Sequence, residues 1–95
     1  MATTVATVAL FELGEIYATP GVKRKVSQEE ALMSLSRHVS GDWGNVGVQD
    51  WKENDFALRN GCRILSTYVG GEAVTYWIIT EADRSATTIL LPEEY

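Results

Sequence analysis

The stretch from Val74 to Pro92 constrains the fold more than any other part of this chain. It is the most apolar segment, and it is organised as a strand, a polar corner and a second strand. Residues 74–80 alternate β-branched and aromatic side chains between two faces, which is typical of a half-buried strand. The corner at residues 81–85 holds three charges and side chains that favour turns. Pro92 ends the second strand because it cannot donate a ladder hydrogen bond.

Two further segments carry strand patterns. Residues 62–69 alternate in the same way and are followed by Gly70-Gly71, a hairpin signal. We therefore predict an antiparallel meander over residues 62–69, 73–80 and 86–91. A fourth strand is predicted over residues 10–17, weakened by Gly14, which is a candidate for a bulge. The result is an antiparallel sheet of three to four strands.

Helical spacing of apolar residues predicts helices over residues 28–39 and 49–60. The first begins at a capping box formed by Ser27 and Glu30, and the second ends at Gly61. The turn signal at residues 19–21 and the basic cluster at residues 23–25 are assigned to a loop between strand and helix. With both helices on one face of the sheet, the predicted class is α+β.

Length and composition limit the function. The 95 residues predict a single domain over residues 1–95, with residues 1–9 as a flexible extension. A net charge of −5 argues against binding to phosphate backbones, and it leaves open a basic protein partner or mimicry of nucleic acid by an acidic face. One cysteine, Cys62, permits no internal disulfide, which predicts a cytoplasmic location. The sequence has no apolar run of about 18 residues, so we expect no membrane span.

A family resemblance is carried by four segments in order: LGEIYATPG (13–21), RHVSGDWG (37–44), the helix Asp50…Asn54…Leu58 with its exit Gly61-Cys62-Arg63, and WIITEADRSATTILLPEEY (77–95). Together they resemble a family of small uncharacterised bacterial proteins of plasmids and integrative elements. Some of these are labelled as type I restriction-modification subunits, but this chain lacks the Pro-Pro motif and the length that adenine methylation requires. The resemblance implies a mobile-element setting and a bacterial cytoplasm, and it names no activity.

Several polar residues are candidates for chemistry. His38 is a potential general base oriented by Asp42, and Asp83 and Glu81 complete a hypothetical hydrolase or nuclease site. Neither candidate nucleophile, Cys62 or Ser85, lies in a nucleophile elbow, and we expect Cys62 to be packed on a strand. A carboxylate-only magnesium site would need the loop at residues 41–45 to meet the corner, and zinc-type Cys/His pairs are missing from the sequence. We therefore predict no metal and no cofactor.

The same loop and corner are candidates for binding. Trp43 and Asp42 in the loop, with Glu81, Asp83 and Arg84 in the corner, are the predicted binding residues. The structural alternative is that Trp43 fills the core, Asp83 accepts from turn amides and Arg84 pairs with a carboxylate.

Three functional hypotheses remain open. The first is a non-enzymatic protein-binding accessory protein of a mobile element, acting as an inhibitor of a host or defence protein. The second is the small metal-dependent hydrolase or nuclease. The third is a homodimer formed through a sheet edge or an exposed tryptophan.

Overall fold

In the computed structural model, which describes residues 8–95, the predicted carboxy-terminal ribbon lies at the centre of a four-stranded sheet. The strands are β1 (Glu15–Ala18), β2 (Ile64–Val69), β3 (Thr75–Thr80) and β4 (Ala86–Leu90), in the order β1-β4-β3-β2. The meander β2-β3-β4 confirms the prediction, with each strand slightly shorter than expected. The predicted extension at residues 1–9 lies outside the described residues as far as residue 7.

The sequence prediction for the first strand, β1, is wrong in two respects. It pairs with β4 in parallel, so the sheet is mixed and not antiparallel. It also begins at Glu15 and not at residue 10, because Gly14 turns the chain at a φ of 64°. A β-carbon at Gly14 would lie 2.3 Å from the Ser85 carbonyl carbon. Close contact with the 81–85 corner therefore sets where β1 starts and which strand it joins.

Residues 8–95 form three α-helices: α1 (Pro20–Lys25), α2 (Gln28–Val39) and α3 (Val48–Asn60). Helix α1 was predicted as a turn and a loop, which is wrong. Thr19 caps it by accepting from the Val22 amide at 3.4 Å, and Pro20 occupies the first turn, where a missing N–H costs nothing. The basic cluster at residues 23–25 lies in its last turn, where cations are stabilised by the helix dipole.

Helices α2 and α3 confirm the predicted spans to within a residue. The Ser27 hydroxyl accepts from the Glu30 amide at 3.1 Å, as the capping box predicts. The Glu30 carboxylate accepts from the Ser27 hydroxyl at 3.2 Å and also from the Gly71 amide at 2.7 Å. Glu30 therefore ties the start of α2 to the β2–β3 connection.

The prediction that both helices share one face of the sheet is only partly correct. Helix α2 covers one face, where Leu35 packs with Tyr76, Ile78 and other buried residues of the main core. Helix α3 lies along the edge strand β2. The Asn54 side chain bonds to both backbone groups of Leu65, donating to its carbonyl at 2.7 Å and accepting from its amide at 3.2 Å. Asn54 is buried and polar, and this pairing satisfies it.

Replacing Gly14 should be costly. Gly14→Ala combines left-handed backbone strain with a collision against Ser85, so we expect the free energy of unfolding to fall by about 2–5 kcal/mol in urea denaturation. Gly61→Ala is the matched control, because Gly61 has a φ of 66° but no atom within 4 Å of the position that a β-carbon would take. It should cost only about 1–2 kcal/mol. Equal costs at the two glycines would show that the contact with Ser85 is not close.

Candidate functional site

The single histidine lies in the core. His38 follows Leu35 by one helical turn on the inward stripe of α2, and its side chain has no exposed surface. Its Nδ1 lies 2.6 Å from the Ser66 hydroxyl on β2, and its Nε2 lies 2.8 Å from the Thr80 hydroxyl on β3. Both ring nitrogens are therefore occupied by buried partners from the sheet.

The hydrogen bonds that link Thr80 to Thr87 and Thr87 to Leu13 determine which group donates and which accepts at His38. The Thr87 hydroxyl donates to the Leu13 carbonyl at 2.7 Å, and it lies 2.8 Å from the Thr80 hydroxyl. Each hydroxyl carries one proton, so Thr87 must accept from Thr80, and Thr80 must accept from His38 Nε2. Nδ1 then accepts from Ser66. We call these five residues (Leu13, His38, Ser66, Thr80, Thr87) the His38 network; it requires a neutral imidazole protonated on Nε2.

The electrostatic environment agrees with a neutral ring. Burial, and to a smaller extent the nearby positive charge of Arg84, lower the pKa of His38 from 6.5 to about 3. A general base must reach the proton that it removes. His38 is neutral near pH 7 but sealed from solvent, so its role in this arrangement is to satisfy and order the core.

The loop at residues 41–45 is held by its own side chains. The Arg37 guanidinium pairs with the Asp42 carboxylate through Nε–Oδ2 at 2.7 Å and Nη2–Oδ1 at 3.2 Å. This pairing, together with the Gly44 amide, lowers the pKa of Asp42. Trp43 has no exposed surface, and its Nε1 donates to Asp55 at 3.0 Å. The structural interpretation of Trp43 as a core residue is therefore confirmed.

The corner at residues 81–85 is also internally bonded. Asp83 accepts from the Ser85 amide at 3.0 Å and from the Ser85 hydroxyl at 2.6 Å, which lowers the pKa of Asp83. Arg84, at a φ of 62°, donates to the carbonyls of Cys62 at 2.6 Å and Ala57 at 3.0 Å. The expected pairing of Arg84 with a carboxylate is replaced by these carbonyl contacts. Arg84 thereby fastens the end of α3 to the corner.

The hypothetical catalytic side chains of His38, Asp42 and Asp83 are each hydrogen-bonded to different partners, and none of them bonds to another. His38 bonds to Ser66 and Thr80, whereas Asp42 bonds to Arg37 and Asp83 to Ser85. Glu81 enters the corner through its backbone, which accepts from the Arg84 amide at 2.9 Å.

Cys62 is exposed and precedes β2, so the expectation that it is packed on a strand is wrong. Within residues 8–95, no group of three or more His, Cys, Asp or Glu side chains is placed to hold a metal ion.

A groove of about 500 Å³ lies on the sheet face opposite α2. Thr67 and Trp77, directly paired across β2 and β3, lie on its floor with Leu65. Asp50 and Glu53 form its wall on α3. Sequence reasoning did not identify Glu53, although a spacing of three residues places it beside Asp50 on the helix surface.

The aromatic floor of the groove is partly covered by the carboxy terminus. Trp77 is half-buried, and the Tyr95 ring packs edge-on against it with 5.7 Å between ring centroids. The Arg63 guanidinium lies over the Tyr95 ring, 5.2 Å from its centroid, and donates to its hydroxyl. The cation that lines the groove is therefore engaged by Tyr95.

Comparison of the chain with protein-family models, with curated proteins and with solved structures found no match. None of the helices described in residues 8–95 has the length and apolar character needed to cross a membrane.

Protonation of His38 should make the fold sensitive to acid. The unfolded chain takes up a proton on this residue near pH 6.5, but the folded chain does so only near pH 3, so stability falls as the pH is lowered between these values. Between pH 7 and pH 5, we expect this residue to lower the free energy of unfolding by about 2 kcal/mol, measured by urea denaturation. His38→Gln retains a donor and an acceptor but does not titrate, and its unfolding should show a shallower pH dependence.

The prediction can also be checked in the unmodified chain. NMR titration of the His38 ring protons should show no protonation down to pH 5. A midpoint near the ordinary histidine value, about 6.5, would contradict the buried network.

The forked geometry of the Arg84 guanidinium should contribute more to the stability of the fold than its charge does. Arg84→Lys keeps the charge but cannot reach the carbonyls of the corner and of α3 together, so we expect a loss of about 1–3 kcal/mol in unfolding free energy. Arg59→Lys, at an exposed position on α3, is the control and should change stability by less than about 0.5 kcal/mol. Identical melting curves for the two variants would refute the proposed role of Arg84.

Proposed function

We propose that this chain is a non-enzymatic protein-binding protein whose groove beside α3 accepts a basic segment of a partner. The observation that supports it best is the pairing of two acidic side chains, Asp50 and Glu53, with a half-buried tryptophan, Trp77, around one groove. Against these two carboxylates, the described residues that line the groove include one cation, Arg63, which donates to the Tyr95 hydroxyl and lies over its ring. The groove therefore presents an excess of negative charge.

The chemistry of such a groove suits lysine or arginine. The aliphatic stem of either side chain can pack on an aromatic ring while its charged end reaches a carboxylate. Asp50 lies in the first turn of α3, where the helix dipole stabilises a negative charge. The net charge of −5 adds long-range attraction for a basic partner.

The candidate residues of the loop and corner support a binding function only indirectly. Trp43 is buried and Arg84 is bonded to backbone carbonyls, so both shape the structure beneath the surface. His38 is likewise committed to the core. We therefore place recognition on the groove. We also propose that the partner is a host or defence protein that this chain inhibits, in the bacterial cytoplasm and mobile-element setting that the family resemblance implies.

The groove can be tested by charge reversal. Tagged wild-type protein and the variant Asp50→Lys/Glu53→Lys are used to capture partners from bacterial lysate, with quantification by mass spectrometry. We expect at least a tenfold loss of the captured partner in the variant, because like charges then face the basic segment; this corresponds to about 1.4 kcal/mol.

The control is Glu29→Lys/Glu72→Lys, which changes the net charge equally at exposed positions away from the groove. It should retain the partner, and wild-type capture should weaken as salt is raised. A partner lost equally from both variants, or retained by both, would contradict a specific role for the groove. A captured partner with no basic segment at its contact surface would contradict the proposed chemistry.

A further inference from the structure

We infer that a second copy of this chain binds to the outer edge of β1, in antiparallel pairing, so that the two four-stranded sheets become one continuous sheet. This inference concerns the opposite edge of the sheet from the groove beside α3. It does not depend on the proposed function.

The backbone of β1 is oriented for such pairing. The Glu15 amide donates to Ser85 at 3.0 Å and the Thr19 amide donates to Ile89 at 3.0 Å, both towards β4. Because backbone groups alternate along a strand, Ile16 and Ala18 direct their N–H and C=O groups to the other side. Within residues 8–95, β1 is the terminal strand of the sheet, so these groups form an open edge.

Exposed apolar side chains lie along this edge, beside the exposed Glu15. Ile16 is 50% exposed and Tyr17 is 53% exposed, on opposite faces of β1. Beside Ile16 lies a groove of about 600 Å³ whose lining includes Leu13 and Leu32. Exposed apolar strands at a sheet edge pair readily with another strand unless the protein blocks them.

The opposite edge of the sheet is blocked. On β2, the Asn54 side chain hydrogen-bonds to both backbone groups of Leu65. The Thr67 amide donates to the Trp43 carbonyl, and the Thr67 carbonyl accepts from the Asn45 amide. The chain therefore protects one edge with its own loop and helix and leaves the other with apolar side chains. This contrast points to a partner strand at β1.

The sequence of β1 complements itself in one register. If Ile16 of one copy exchanges hydrogen bonds with Ala18 of the other, then Tyr17 meets Tyr17 at the twofold axis. Glu15 then lies opposite Thr19 and not opposite another carboxylate. The small Ala18 leaves room for Ile16, and Pro20, which has no N–H, ends the pairing.

The distribution of charge favours a second copy over an unrelated strand. Glu12 and Glu15 lie at the start of this segment, and the cations at residues 23–25 follow it. An antiparallel pair brings the acidic end of one copy towards the basic end of the other. The same surface patch thus supplies both halves of a twofold contact.

The oligomeric state tests the inference. Sedimentation equilibrium of the full chain should give twice the monomer mass at high concentration. Ile16→Lys and Tyr17→Lys should each raise the dissociation constant at least tenfold, because they place like charges at the pairing edge. Val69→Lys is the matched control: Val69 is also 50% exposed but lies on β2, and its variant should dimerise as the wild type does.

Cross-linking tests the register. Tyr17→Cys in a Cys62→Ser background should form a disulfide between copies under mild oxidation, because directly opposed residues across the axis lie within disulfide range. Val69→Cys in the same background should not.

Two results would overturn the inference. One is a monomer at concentrations up to about 1 mM, equivalent to binding no stronger than about −4 kcal/mol. If the Ile16 and Ala18 amides of that monomer resisted hydrogen exchange, the edge would belong to another segment of the same chain. The other is a dimer that persists in both β1 variants, or that is lost in Val69→Lys, since its interface would then lie elsewhere.

Discussion

The direction of hydrogen bonding through His38 constrains the rest of this structure. The His38 network begins at a hydroxyl on β2, passes through α2 and ends at the Leu13 carbonyl, just before the turn that starts β1. Every member after the first accepts from its predecessor, so no member can be reversed without leaving a buried group unpaired. The network thereby fixes the position of α2 over the sheet and brings the segment before β1 against β4.

Local signals in the sequence were sufficient to predict the helices α2 and α3 and the strands that pair with their neighbours in the sequence. The meander follows from alternation and hairpin signals at residues 62–91, and α2 and α3 follow from apolar spacing, the capping box at Ser27 and the stop at Gly61. The parallel pairing of β1 was not predictable in this way. Its partner is about 70 residues away, and no turn of fixed length specifies its direction. Helix α1 was missed because Thr-Pro-Gly is also a common turn sequence.

The candidate functional residues also divide into those that local sequence patterns indicate and those that only contacts between distant segments bring together. Ser66 shares the inward parity of Ile64 and Tyr68, and His38 shares the inward stripe of Leu35, so the sequence contained the signal for a buried polar network. The sequence also left a catalytic interpretation of His38 open, because a lone histidine is a common general base. The groove beside α3 could not be assembled from the sequence, since it forms only where Asn54 fastens α3 to the backbone of β2. Tertiary contact, and not a motif, brings Glu53 near Trp77.

The most direct test of this account is the protonation state of the His38 ring nitrogens at pH 7, read from nitrogen-15 chemical shifts in selectively labelled protein. The network predicts a single neutral form, with the proton on Nε2 and an unprotonated Nδ1 that accepts from Ser66. A proton on Nδ1 with Nε2 bare, a charged ring, or rapid averaging between tautomers would contradict it. Any of these results would mean that the hydroxyl chain does not run as described.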